Sequence, residues 1–183
     1  GIAPRVVRCD PSVRLLVTQW IAGASGSPAA AGCDHTIRQV ATVLSQLHAL
    51  APPPGVRVVD FAVQARLLET ALPADAVRPA LAACAGEVLS RLGPGHAHAL
   101  CHHDVHEQNL VTDSAGRLWL VDWEYAGLGD PVFDLASSAS QLELSAAGVG
   151  LLCDEYVRAG GTAGLSKLGL ARWAFDYVQW LWY

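Results

Sequence analysis

A short strand-like insertion between two long helical blocks limits the folds open to this chain more than any other feature. Asp34 is a plausible N-cap for a run in which Ile37, Val40, Ala41, Leu44, Leu47 and His48 recur at helical spacing, predicting a helix to about Leu50. Ala51-Pro52-Pro53-Pro54-Gly55 ends it, because proline lacks the amide that would continue the ladder. Asp60 is placed to cap a second helix through about Leu72, and Pro73 to open a third ending near Gly93-Pro94-Gly95. Then the period changes. Ala99 to His102 is a short apolar run, and Leu110–Thr112 with Arg117–Asp122 flank Asp113-Ser114-Ala115-Gly116, the pattern of a β-hairpin. Helical spacing returns over about 131–142, 145–159 and from 165 to the end. Two strands, Val6–Cys9 and Val13–Trp20, lead the chain, and residues 22–32 read as a Gly/Ala/Ser-rich loop. The expected fold class is α+β, mainly α, with helices around a small hairpin in one domain spanning 1–183.

With 183 residues and 52% hydrophobic side chains, the chain can bury a substantial core. A net charge of −5 without a block of like charge argues against nucleic-acid or anionic-membrane partners, which need clustered Lys and Arg, and suits a cationic ligand. No apolar run reaches the roughly 18 residues that would span a bilayer. The five cysteines include no C-x-x-C pair and read as free thiols of a cytoplasmic protein. The absence of methionine, and an end at Trp180-Leu181-Trp182-Tyr183 inside a helical pattern, lead us to expect a piece of a longer polypeptide.

Five of the seven histidines lie in Gly95–Leu110, GHAHALCHHDVHEQNL. A zinc site is not favoured, since adjacent His102 and His103 point apart in extended chain and the remaining His35 and His48 are scattered. His96 and His98 read as solvated loop residues. The spacing is more telling: His102-x-Asp104-x-x-x-x-Asn109 fits the kinase catalytic loop, in which the Asp accepts a substrate hydroxyl proton and the Asn ligates magnesium. Across the hairpin comes Asp122-Trp123-Glu124, where protein kinases carry a magnesium-binding Asp. Phosphoryl transfer needs hard oxygen ligands for Mg²⁺ and a separate carboxylate to orient the attacking hydroxyl, and a hairpin brings Asn109 and Asp122 together at its open end.

Cys101 to Val111, followed by Leu120-Val121-Asp122-Trp123-Glu124-Tyr125-Ala126-Gly127, resembles the aminoglycoside phosphotransferase and choline kinase superfamily, and within it the bacterial thiamine kinases. Aminoglycoside kinases usually carry Gly where His103 stands and often Pro near Glu107; the Asp-Trp-Glu-Tyr run is similar to that of choline, ethanolamine and thiamine kinases. The resemblance covers nearly the whole chain. It implies the C-terminal lobe of a protein-kinase-like fold, with hinge strands in 1–23, a helical block in 34–95, catalytic and metal loops in 99–126, and an acceptor-side helical block in 131–183. It implies ATP as co-substrate and Mg²⁺, with Asp104 as base and Asn109 and Asp122 as metal ligands. Adenine would be held by main-chain groups at Gln19 and Ile21. His102 would support the loop by hydrogen bonding, and Asp134 would brace it through backbone amides. Glu124 is either a water-mediated metal contact or an exposed glutamate. Trp173, Tyr177 and Trp180 share one helix face; ordinary core is the simpler reading, and a cation–π wall for the acceptor, with Trp123 or Tyr125, is the functional one.

The family also needs a strand lysine and a Gly-rich loop to hold phosphates, yet the single lysine is Lys167, far downstream. The nucleotide lobe is therefore expected to lie outside these residues, leaving this piece by itself nearly inactive. The leading expectation is a kinase of a small cationic alcohol, thiamine first and choline or ethanolamine next. An aminoglycoside kinase and an inactive kinase-fold binding module are the alternatives.

Overall fold

The computed structural model describes residues 1–25, 33–73, 76–93 and 99–183. Its body is six helices: α1 (Asp34–His48), α2 (Phe61–Ala71), α3 (Pro79–Leu92), α4 (Val132–Gln141), α5 (Ala146–Arg158) and α6 (Leu168–Trp182). Helix α1 buries Ile37, Val40, Ala41, Leu44 and Leu47, the stripe its periodicity predicts, against α5. Helix α6 packs on α4 and also covers α2 and α3. Asp60 accepts the amides of Ala62 and Val63, and Ser145 that of Gly148, caps worth about 1 kcal/mol each. Lys167 Nζ donates to Leu92 O at 2.6 Å and so closes the end of α3.

Among the described residues, seven short strands form three small sheets. Strands β1 (Val6–Asp10) and β2 (Leu15–Thr18) pair antiparallel around a tight turn at Pro11–Val13. Val6, Val7, Leu15, Leu16 and Val17 on this ribbon are exposed. Strand β5 (Leu110–Asp113) lies between β3 (Gly23–Ser25) and β6 (Leu118–Leu120), while β4 (Ala99–Cys101) pairs with β7 (Gly127–Gly129). In the β5–β6 hairpin, Asp113 takes the amides of Ala115 and Arg117 on one oxygen and Trp119 Nε1 on the other. Gly116 there has φ 78°, a conformation glycine adopts without strain.

The structure moves one helix start and adds two strands. The third helix starts at Pro79, because Arg78 precedes proline and stays extended (φ −62°, ψ 131°), and Pro79 occupies the first turn where a missing amide costs nothing. The loop expected from Ala22 contains β3, which sequence cannot announce because Gly-Ala-Ser carries no apolar alternation. Strand β7 was likewise not expected; a Cβ at Gly127 would lie 2.6 Å from Val59 Cγ2 and 2.9 Å from Arg57 O, so close backbone approach sets its composition. His96 and His98 lie outside the described residues.

Candidate active site

The loop leaving β4 turns inward over a buried carboxylate. Asp134, on the first turn of α4 and fully buried, accepts the amides of His102 (2.8 Å, Oδ2) and His103 (2.7 Å, Oδ1), with His48 Nε2 3.1 Å from Oδ2. Burial alone would raise its pKa; the His48 hydrogen bond, the nearby imidazoles and the loop amides overcome that and hold the carboxyl well below its usual range. His103 has φ 65°, a left-handed conformation that costs a non-glycine residue roughly 1–2 kcal/mol. Its ring packs by Phe61, and a Cβ on Gly129 would stand 2.5 Å from it. Burial pushes the His103 pKa down, against the opposing pull of the Asp134 carboxylate.

Asp104 follows directly. Asn109 Nδ2 donates to Asp104 O and Oδ2, both at 2.9 Å, and His106 Nε2 lies 3.4 Å from the same Oδ2. Among the described residues nothing bonds Oδ1. The hairpin register carries Val121 N to Asn109 O at 3.0 Å, so Asp122, the next residue, stands beside Asn109 as the spacing predicts. Asp122 is exposed with φ 60°, and among the described residues nothing donates to its carboxylate. With Nδ2 committed, Asn109 keeps Oδ1; this oxygen and the Asp122 carboxylate are of the hard kind that could hold Mg²⁺. His102 links the two loops: its Nε2 donates to Val121 O at 2.9 Å, and its ring meets Trp123 edge-on with centroids 4.8 Å apart. Arg57 holds the metal loop from outside, donating to Glu124 O (2.7 Å) and Ala126 O (3.2 Å).

A cleft of about 860 Å³ opens beside Asp104. Its charged lining is Asp104, Glu107, Glu124 and Glu143, with no Lys or Arg, and the facing wall includes Phe61, Phe175, Val178 and Trp182. Glu143 reaches it from a left-handed position at φ 51° just after α4.

The expected aromatic wall is therefore corrected. Tyr177 is buried on another face of α6, donating its hydroxyl to Glu69 at 2.5 Å and stacked between Trp173 and Trp180. Neither Tyr177 nor Trp180 lines the cleft; Trp123 turns inward on His102, its Nε1 donating to Leu120 O at 3.0 Å. Tyr125 and Glu124 do line it. At the hinge, the Gln19 amide is committed to Arg5 O at 2.8 Å, whereas the Ile21 amide has no partner among the described residues, although the Ile21 side chain is buried. Sequence reasoning missed Glu107, Glu143, His48 and Arg57. Only Glu107, inside the motif, carried a local signal.

The family model described as "Phosphotransferase enzyme family" matches residues 3–174. A thiamine kinase of Salmonella paratyphi B is 58% identical over 36 residues, 20% of this chain and 13% of that protein. A choline/ethanolamine kinase family protein from Mesorhizobium loti superposes over 100% of the chain with TM-score 0.83 and 26% identity, and the chain spans 64% of its length. Macrolide 2′-phosphotransferase MphH from Brachybacterium faecium shares the fold, with TM-score 0.74 and 21% identity over 99% of this chain and 67% of its own. The mainly helical α+β architecture is thus that of kinase-like phosphotransferases, and with the family match running from Ala3 to Ala174 the chain belongs to the phosphotransferase enzyme family.

Proposed function

We propose that this chain is the catalytic part of an ATP- and Mg²⁺-dependent kinase that phosphorylates the hydroxyl of a small cationic alcohol, thiamine before choline or ethanolamine. One observation carries the acceptor reading: four carboxylates and no Lys or Arg line the cleft beside Asp104. A cation there is attracted by the acidic wall and can rest on Phe61, Tyr125, Phe175 or Trp182 by cation–π contact. The cleft lies within the roughly 300–1,000 Å³ that accommodates drug-sized ligands, which favours a two-ring cation over ethanolamine.

Bound Mg²⁺ would neutralise the phosphate oxygens in flight. Asn109 Oδ1 and Asp122 would hold it. Asp104 Oδ1 orients the acceptor hydroxyl and takes its proton as the new O–P bond forms and the bond to the departing ADP oxygen breaks. Asn109 and His106 keep Oδ2 occupied, so the base presents one oxygen. A phosphate-holding lysine belongs to the same reading and is assigned to residues beyond these, since Lys167 caps α3. No helix among the described residues is long and apolar enough to cross a membrane; a cytoplasmic location belongs to the same reading, since the proposed reaction draws on ATP.

The same acidic cleft favours a second reading, an aminoglycoside kinase, because those acceptors are polycations. The test is ADP release by the full-length protein with thiamine, choline, ethanolamine and a kanamycin-type acceptor. We expect kcat/KM for thiamine at least about tenfold above the antibiotic, roughly 1.4 kcal/mol of transition-state discrimination. Turnover of the antibiotic alone would replace the acceptor assignment, and turnover of none would make the chain an inactive binding module.

A further inference from the structure

Helices α1, α4 and α5 meet beneath the catalytic loop, and the residue at their junction has no part in the reaction as described above. His48, in the last turn of α1, is buried, with Nε2 3.1 Å from Asp134 Oδ2 and Nδ1 2.8 Å from the Tyr156 hydroxyl. Asp134 is ionised and can only accept, so the proton of this contact sits on His48 Nε2. The Tyr156 hydroxyl is buried and needs an acceptor for its hydrogen; Nδ1 is the one it reaches. Every bond then has one direction: Tyr156 donates to His48, His48 to Asp134, and the amides of His102 and His103 to the same carboxylate.

The place of the Tyr156 ring is set in turn by Gly161, since a Cβ there would run into it. A metal reading of this junction fails on chemistry. Ligand atoms of His48, Cys101 and Asp134 lie within 4.8 Å of one another, yet both His48 nitrogens are committed and burial pushes the Cys101 thiol far up, away from the thiolate a metal requires.

We propose that His48 is a positioning residue for phosphoryl transfer: oriented by Tyr156, it locks Asp134 and thereby holds the His102–His103 backbone that presents Asp104 to the acceptor. This rests on Asp104 being the base. Two readouts on the full-length protein test it, steady-state kinetics and hydrogen exchange at the His102 and His103 amides. In His48→Ala we expect kcat to fall about tenfold to a hundredfold, KM for acceptor and ATP to stay within about threefold, and the two amides to exchange at least about tenfold faster. His48→Gln, which returns an N–H donor near the Nε2 position, recovers most of both losses. Tyr156→Phe removes one hydroxyl and gives a smaller loss in the same direction; with His48→Gln it decides the matter if His48→Ala fails to fold. Unchanged exchange in folded His48→Ala, or a raised KM with kcat intact, overturns the proposal. If the wild type phosphorylates no alcohol, the functional reading falls, while exchange at the two amides still decides whether His48 holds the loop.

Discussion

The loop that carries the proposed base, Asp104, and the loop that carries the proposed metal ligand, Asp122, lie side by side but are held by opposite means. Asp104 stands on a segment whose amides end on a fully buried carboxylate, itself bonded to His48 in the core. Asp122 stands on an exposed turn held by the Arg57 guanidinium, by the β7 backbone and by one bond from His102. The difference suits the two tasks. A base must be within a fraction of an ångström of one hydroxyl, which rigid, desolvated contacts secure. A metal loop must admit and release an ion with its phosphates, which solvated contacts of low individual strength permit.

Removing the buried carboxylate should have the largest effect. Asp134→Ala orphans the His102 and His103 amides and the His48 proton, at roughly 1–3 kcal/mol for each buried donor, so a large drop in melting temperature with loss of turnover is expected. A melting temperature within a degree or two of wild type would show that the core does not carry the base loop.

Acid separates the two loops next. Asp134 is held below its ordinary value of 3.8, so its contribution is full above that pH, declines as pH falls below it, and is gone only once pH passes the lowered folded-state value. His103, held by burial below its ordinary 6.5, acts in the same direction: the unfolded chain gains a proton below 6.5 that the folded chain does not. Stability should decline below about pH 6.5 and again below about pH 4. Asp134→Asn should flatten the second decline only. The Glu124 and Ala126 oxygens that Arg57 grips are backbone carbonyls, which do not titrate between pH 7 and 4, so acid should leave that grip in place.

Arg57→Ala should have the smallest effect on stability, about 1 kcal/mol or less, because its bonds are exposed. Its signature should be a Mg²⁺ half-saturation raised by about threefold to tenfold with acceptor KM unchanged, roughly 0.7–1.4 kcal/mol at the metal. A stability loss as large as that of Asp134→Ala would erase the distinction between the loops.

What could be read from the sequence follows the range of the interactions. The Asp104–Asn109 bond and the hairpin that returns Val121 to Asn109 were legible because a loop and a tight turn connect these residues, so spacing fixes the approach. Helix α2 was legible because its cap, Asp60, adjoins it. The His48–Asp134 contact joins residues 86 apart, and no local pattern announces it. On α6, periodicity correctly grouped Trp173, Tyr177 and Trp180 but could not say which face meets the cleft; Phe175, Val178 and Trp182 do. Glu143 escaped notice because its direction comes from a left-handed backbone at φ 51°, not from its neighbours.

The capping role of Lys167 matters to anyone labelling this protein. With its ammonium bonded to the Leu92 carbonyl, the one lysine in 183 residues is a poor target for acylating reagents. Amine-selective probes should therefore mark this stretch weakly, so an ATP-protected lysine elsewhere in a longer polypeptide would support the proposed phosphate contact against a quiet background.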